Sequence, residues 1–192
     1  MSADRIATTA LVIIDVQESF RHSPFWNEED VPAFKSAILR LDEAARAQGI
    51  PVVHIFHVGA NPPFTKESGL VRLQDWVPGE ADVAFEKHTH NAFTDTGLDL
   101  WLRRRGINRL VITGMRTEQC CETTTRVGSD MGYGVDFVSE ATLTFPMTHP
   151  TSGRVYTADE IKARCELVLH SRFARIATVD QVLADWNAVV PA

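Results

Sequence analysis

The sequence predicts a three-layer α/β/α domain, a six-stranded parallel sheet with helices on both faces. Three observations carry this expectation. Apolar runs rich in β-branched residues alternate with stretches of helical spacing, which is the pattern of βαβ units. The chain has 192 residues, 44% of them hydrophobic and 23% charged. That suits a single domain over 1–192, because a domain this size buries roughly 70% of the surface its unfolded chain exposes. No internal repeat, low-complexity segment or linker divides it.

Taken in order, the first strand is Ala10 to Val16. A helix follows whose apolar positions Val31, Phe34, Ile38, Leu41 and Ala45 step by three and four, with Asp30 as cap, Pro32 in the first turn and Gly49 as its stop. Pro51 to Val58 is the second strand, and residues 59–80 form a long loop with room for a short helix. Loops of that length are usually functional. Val83 to Lys87 alternates apolar and charged residues and reads as the third strand. Thr96 and Asp99 resemble a capping pair for a helix carrying Leu98, Trp101 and Leu102 and stopped by Gly106. Arg109 to Met115 is the fourth strand, followed by a helix from about Glu118 to Gly132 capped by Thr117. Val135 to Ser139 is the fifth. Thr157 and Glu160 make a capping box for a helix with Ile161, Cys165 and Val168; Arg175 to Val179 is the sixth strand, and a short helix over Val182 to Trp186 comes last.

Nineteen basic against twenty-five acidic residues leave a net charge of −6, the wrong sign for a nucleic-acid surface. The block Arg103–Arg105 fits the C-terminal end of a helix, where cations complement the macrodipole. The longest purely apolar run, Ala10 to Ile14, falls far short of the roughly 20 residues that span a bilayer. The opening MSADRIATTA lacks the apolar core of a signal peptide, so a cytoplasmic protein is expected. Cys120, Cys121 and Cys165 are an odd number without metal-type spacing and are expected as free thiols.

In open parallel sheets ligands sit beyond the carboxyl ends of the strands. Three reactive side chains fall there: Asp15 after the first strand, Lys87 at the end of the third and Cys120 in the turn after the fourth. Each has a plain structural reading, as a turn-capping carboxylate, a surface lysine and a small core thiol. Together they suggest chemistry. A thiol in the first turn of a helix beside a lysine should have a pKa below the free value of about 8.5 and be reactive as thiolate.

The segments Leu11-Val12-Ile13-Ile14-Asp15-Val16-Gln17 with Phe20, Glu86-Lys87-His88-Thr89-His90-Asn91-Ala92-Phe93 and Gly114-Met115-Arg116-Thr117-Glu118-Gln119-Cys120 resemble the cysteine hydrolases of the isochorismatase-like superfamily. Arg126, Gly132-Tyr133 and Glu140-Ala141 continue the resemblance. It implies a Rossmann-like sheet, a triad of Asp15, Lys87 and Cys120, and an oxyanion hole from the backbone N–H groups of Arg116 and Cys120. A non-proline cis peptide would fall between Met115 and Arg116. The implied activity is hydrolysis of a small amide, ureide or carbamoyl C–N bond through a thioester, with no cofactor. A vinyl-ether hydrolase of isochorismatase type, or a silent scaffold of the same fold, are the alternatives.

Departures from the usual pattern also carry information. Cys121 stands where an aliphatic residue is usual and Val127-Gly128 where an acidic residue and alanine are common. Adjacent helical residues diverge by about 100°, so Cys121 should pack on the sheet rather than share the cleft. The Asp-x-His metal motif of nicotinamidases is replaced by His54-Ile55-Phe56-His57, so no metal is expected; His54 and His57 read as strand residues and His88 and His90 as flanks of Lys87. Phe20, Phe25, Trp26, Phe64 and Trp76 either wall an apolar pocket for a small-molecule substrate or anchor their loops. The Arg116 side chain would either meet an anionic substrate or face outward. A homodimer or homotetramer is expected, from the resemblance and from the apolar stretch Trp186 to Val190.

Overall fold

A computed structural model describes residues 7–78 and 81–187. The strands are β1 (Thr9–Ile14), β2 (Val52–His57), β3 (Val83–Lys87), β4 (Arg109–Met115), β5 (Gly134–Leu143), β6 (Met147–Thr148), β7 (Val155–Tyr156) and β8 (Arg175–Ile176). Six of them form one parallel sheet in the order β3-β2-β1-β4-β5-β8, while β6 and β7 make a small antiparallel hairpin. The chain winds outward from β1 to β3 and then returns to β4. The switch in direction between β1 and β4 opens the crevice in which such sheets bind ligands.

The helices are α1 (Val31–Ala47), α2 (Leu98–Arg104), α3 (Glu122–Asp130), α4 (Ala158–Leu169) and α5 (Val179–Asn187). Strand side chains alternate between faces, so β1 feeds two cores. Leu11 and Ile13 pack with Phe34 and Ile38 of α1 and Trp186 of α5. Val12 and Ile14 pack on the other face with Leu98 and Leu102 of α2 and Leu169 of α4. With both faces covered every residue of β1 is buried, which explains its unbroken apolar run.

Several local expectations need correction. Asp30 precedes α1 but its side chain caps nothing; its carbonyl accepts from Phe34 N–H at 3.1 Å. Thr96 and Asp99 do not pair. The Thr96 hydroxyl donates to the Ala92 carbonyl at 2.7 Å, and the Asp99 carboxylate accepts from Arg103 Nε at 2.8 Å and the Tyr133 hydroxyl at 2.7 Å. The Thr157–Glu160 box does form. The sixth sheet strand is only Arg175–Ile176, because Thr178 and Gln181 exchange side-chain to backbone hydrogen bonds, 3.1 Å each, and start α5 at Val179. β5 runs on to Leu143 because the register shifts between Ile112 and Gly114, which lets Thr142 and Leu143 re-pair with Gly114 and Met115. Trp186 is buried in the α1 core rather than exposed, and 188–190 lie outside the described residues.

Candidate functional site

β1 and β4 lie so close at their carboxyl ends that one of them must lack a side chain. A Cβ on Gly114 would fall 2.0 Å from the Ile14 carbonyl oxygen, and the residue's φ of +117° is one that L side chains rarely adopt. Just beyond Ile14 the chain turns at Asp15, whose φ of 55° is uncommon for a residue with a Cβ. Its N–H donates to the Ile55 carbonyl and its carbonyl accepts from Gln17 N–H, both at 2.8 Å, so neighbouring backbone holds the turn. Lys87 is the last residue of β3. Cys120 sits in one wide π turn, Thr117–Cys121, closed where Cys121 N–H reaches back to the Arg116 carbonyl at 3.2 Å.

These elements bring Asp15, Lys87 and Cys120 together, only 0%, 1% and 4% exposed. Lys87 Nζ lies 2.8 Å from Asp15 Oδ2, 3.3 Å from Cys120 Sγ, 3.1 Å from the Thr89 carbonyl oxygen and 3.4 Å from His57 Nδ1. A buried ammonium needs such company. Burial alone would depress the Lys87 pKa; Asp15, followed by Cys120, outweighs it and holds the amine charged above its ordinary range. Asp15 Oδ1 is buried with no hydrogen-bond partner among the described residues, leaving a free acceptor in the site.

The thiol departs from expectation. Burial first, and the Asp15 charge second, push the Cys120 pKa well up, against the opposing pull of Lys87. These influences favour a protonated Cys120 thiol beside the Lys87 ammonium. Cys121 is fully buried against the sheet with Sγ 3.8 Å from the Thr113 carbonyl oxygen, as its position in the turn requires.

The Met115–Arg116 peptide is cis. The Arg116 side chain turns inward, pairing with Glu118 at 2.9 Å and lying over the rings of Phe25 and Phe145 at 4.7 and 5.8 Å. Glu118 is held in turn by the Thr144 hydroxyl at 2.6 Å. Thr117 does not cap: its hydroxyl donates to Thr142 Oγ1 at 2.8 Å, tying the turn to β5. Among the aromatics, Phe20 meets Phe64 edge-on at 4.9 Å, Phe64 meets the His57 ring at 5.9 Å, and Trp26 meets Phe145 at 5.3 Å. Trp76 stands apart from them, edge-on to Phe34 of α1 at 5.9 Å, and anchors the long loop.

Residues 9–160 match the Isochorismatase domain. The chain belongs to the isochorismatase family. It is 31% identical over 180 residues to the isochorismatase-family protein YrdC of Bacillus subtilis, covering 92% of this chain and 95% of that one. It is 28% identical over 174 residues to the ureidoacrylate amidohydrolase RutB of Methylobacterium radiotolerans, covering 71% and 67%. A crystal structure of an isochorismatase-family hydrolase from Chromobacterium violaceum superposes with a TM-score of 0.87 at 28% identity, covering 95% of each chain. The protein is thus an isochorismatase-family hydrolase with the family's α/β fold.

Within this family member no three His, Cys, Asp or Glu side chains among the described residues converge as a metal site would require. His54 and His57 both lie on β2; His54 is buried and its pKa falls to about 4, chiefly through desolvation. His88 Nδ1 lies 3.1 Å from the Val58 carbonyl oxygen. Sequence reading overlooked the approach of His57 to Lys87. The two are register partners on β2 and β3, a pairing that strand spacing alone does not reveal. No helix among the described residues is long and apolar enough to cross a membrane.

Proposed function

We propose that the protein hydrolyses a small amide, ureide or carbamoyl C–N bond through a thioester on Cys120. The observation that carries this reading is the Lys87 ammonium joining Asp15 Oδ2 and Cys120 Sγ at 2.8 and 3.3 Å inside a buried site. Asp15 accepts the thiol proton through its unpartnered Oδ1 as sulfur attacks the carbonyl carbon. The raised pKa of the thiol suits this order of events, with the proton leaving only as the new bond forms. Backbone N–H groups of Arg116 and Cys120 stabilise the tetrahedral oxyanion. Asp15 returns the proton to the departing nitrogen, then activates the water that cleaves the thioester. Lys87 stabilises the developing sulfur charge and holds Asp15 in place through its contact with Oδ2.

Phe20, Trp26 and Phe64 wall the pocket in this reading, and the near-complete burial of Cys120 favours a small substrate. The amidohydrolase relative supports C–N over vinyl-ether cleavage. No cofactor takes part. The whole chain acts as one cytoplasmic domain within a homodimer or homotetramer. The deciding experiment is ammonia release from a panel of small amides, ureides and carbamoyl compounds, with rapid quenching and intact-mass analysis. An acyl adduct mapping to Cys120, absent in Cys120→Ala, is expected; full turnover in Cys120→Ala would sink the reading.

A further inference from the structure

The Lys87 ammonium has three N–H groups and four acceptors around it, and the fourth belongs to a residue that the chemistry above does not use. His57 Nδ1 lies 3.4 Å from Nζ. The contact is favourable when that nitrogen presents a lone pair, which is the neutral ring with its proton on Nε2. The ring's position is closely fixed. His57 is the last residue of β2, in register with Lys87 on β3. The fully buried Gln17 side chain grips its backbone on both sides, Oε1 accepting from His57 N–H at 2.7 Å and Nε2 donating to the His57 carbonyl at 2.9 Å. Phe64 closes one edge of the ring at 5.9 Å. Since Gln17 is two residues beyond Asp15, one short segment holds both the base and the residue facing the lysine.

We propose that His57 is a positioning residue of this site, whose neutral Nδ1 accepts from the Lys87 ammonium and whose protonation releases it. The inference rests on the reading of Asp15, Lys87 and Cys120 given above. While neutral, His57 steers one Nζ–H toward itself, and the remaining two are shared among Asp15, Cys120 and the Thr89 carbonyl. Once protonated, the ring becomes a like charge beside Nζ and competes for the Thr89 carbonyl that Lys87 now uses. The site would then lose its geometry on the acid side without any change in Cys120. The groups facing His57 are Lys87 of β3, Asp15 after β1, and His90 with the Thr89 carbonyl beyond β3. Burial, Lys87 and His90 favour the neutral ring, whereas Asp15 and the Thr89 carbonyl favour the protonated one, with the balance on the neutral side.

The test has a substrate-independent arm and a chemical arm. Imidazole 15N NMR of the full chain, with His57 assigned by its absence in His57→Gln, should show unprotonated Nδ1 at neutral pH and a protonation midpoint below about 6.5. In Lys87→Met that midpoint should rise, because the repelling charge is gone. An Nδ1–H tautomer in the wild-type protein would overturn the proposal, and that tautomer is read on the wild-type chain itself, with His57→Gln serving only for assignment. The chemical arm follows acylation of Cys120 by p-nitrophenyl acetate through nitrophenolate release. The wild-type rate should fall on the acid side at the His57 midpoint. His57→Gln, which can accept but not titrate, should retain most of the rate and lose that fall; His57→Phe should lose about tenfold at neutral pH. An unchanged acid limb in His57→Gln would overturn the inference. Release by Cys120→Ala equal to wild type would instead remove the triad reading, leaving the NMR arm to judge His57 separately.

Discussion

At Cys120 the competing influences can be ranked. Desolvation and the Asp15 charge oppose thiolate, and the Lys87 charge favours it but does not prevail. Carbamidomethylation of Cys120 should therefore be slow at neutral pH and accelerate only on the alkaline side, as read by peptide mass across a pH series. Lys87→Met should slow it further at any fixed pH, since the one cation opposing the rise is lost. A fast reaction at pH 6 would contradict this. Cys120→Ala should abolish turnover. Cys121→Ala should keep most of it at a stability cost of about 1 kcal/mol, the typical effect of trimming a buried side chain by one atom. The identity of this trio was legible because Asp, Lys and Cys each fell at a strand end. The ionisation state was not, because the argument from helix dipole and lysine left out two stronger effects, burial and the facing carboxylate. His57 escaped notice for a related reason. Its partner is set by cross-strand register, whereas its own neighbours in sequence are ordinary strand residues.

At the scale of elements, the tightest constraint is the approach of β4 to β1. Gly114→Ala would drive a methyl group into the Ile14 backbone, so the strands must part just below Asp15. A loss of about 3 kcal/mol in denaturant unfolding is expected, together with loss of Cys120 acylation in whatever fraction stays folded. β2 carries a second testable feature. His54 is 2% exposed, with Nε2 unpartnered and its folded pKa lowered to about 4. A folded value below the unfolded one means that stability is fully present above about pH 6.5 and is lost as pH falls toward 4, by about 3 kcal/mol at most. His54→Leu should flatten that decline in an unfolding series; an equally steep decline would assign it elsewhere. Strong strands such as Val83–Lys87 and Arg109–Met115 were readable to the residue because their apolar patterns have clear ends. Caps were less so, since Thr96 turns back to the nearby Ala92 carbonyl, while Asp99 and Thr117 have rival partners brought near by the tertiary fold, at Tyr133 and Thr142. The hairpin of β6 and β7, two residues a strand, is too short to show a period at all.

For the whole molecule, the assembly expectation no longer rests on Trp186, which the α1 core covers. The apolar side chains left outside include Met147 and Val155 on the hairpin and Leu167 on α4, the last 79% exposed. Light scattering at micromolar concentration should find a dimer or tetramer, and a monomer would contradict it. Sheet order was beyond the sequence, because strand spacing restricts crossover hand but does not choose which neighbours pair. That order bears on how the protein comes into being. Asp15, Lys87 and Cys120 are drawn from the carboxyl ends of β1, β3 and β4, which the chain separates by long intervals; β4 pairs with β1 directly, and β3 reaches them only once β2 is seated between β1 and β3. Such distant parallel pairings are slow to form, because loop-closure entropy is lost before their contacts are gained. Helical signal should therefore return early when the denatured chain is diluted into buffer, with acylation competence at Cys120 trailing it. Reactivity at one sulfur would then serve as a clock for closure of the central strands.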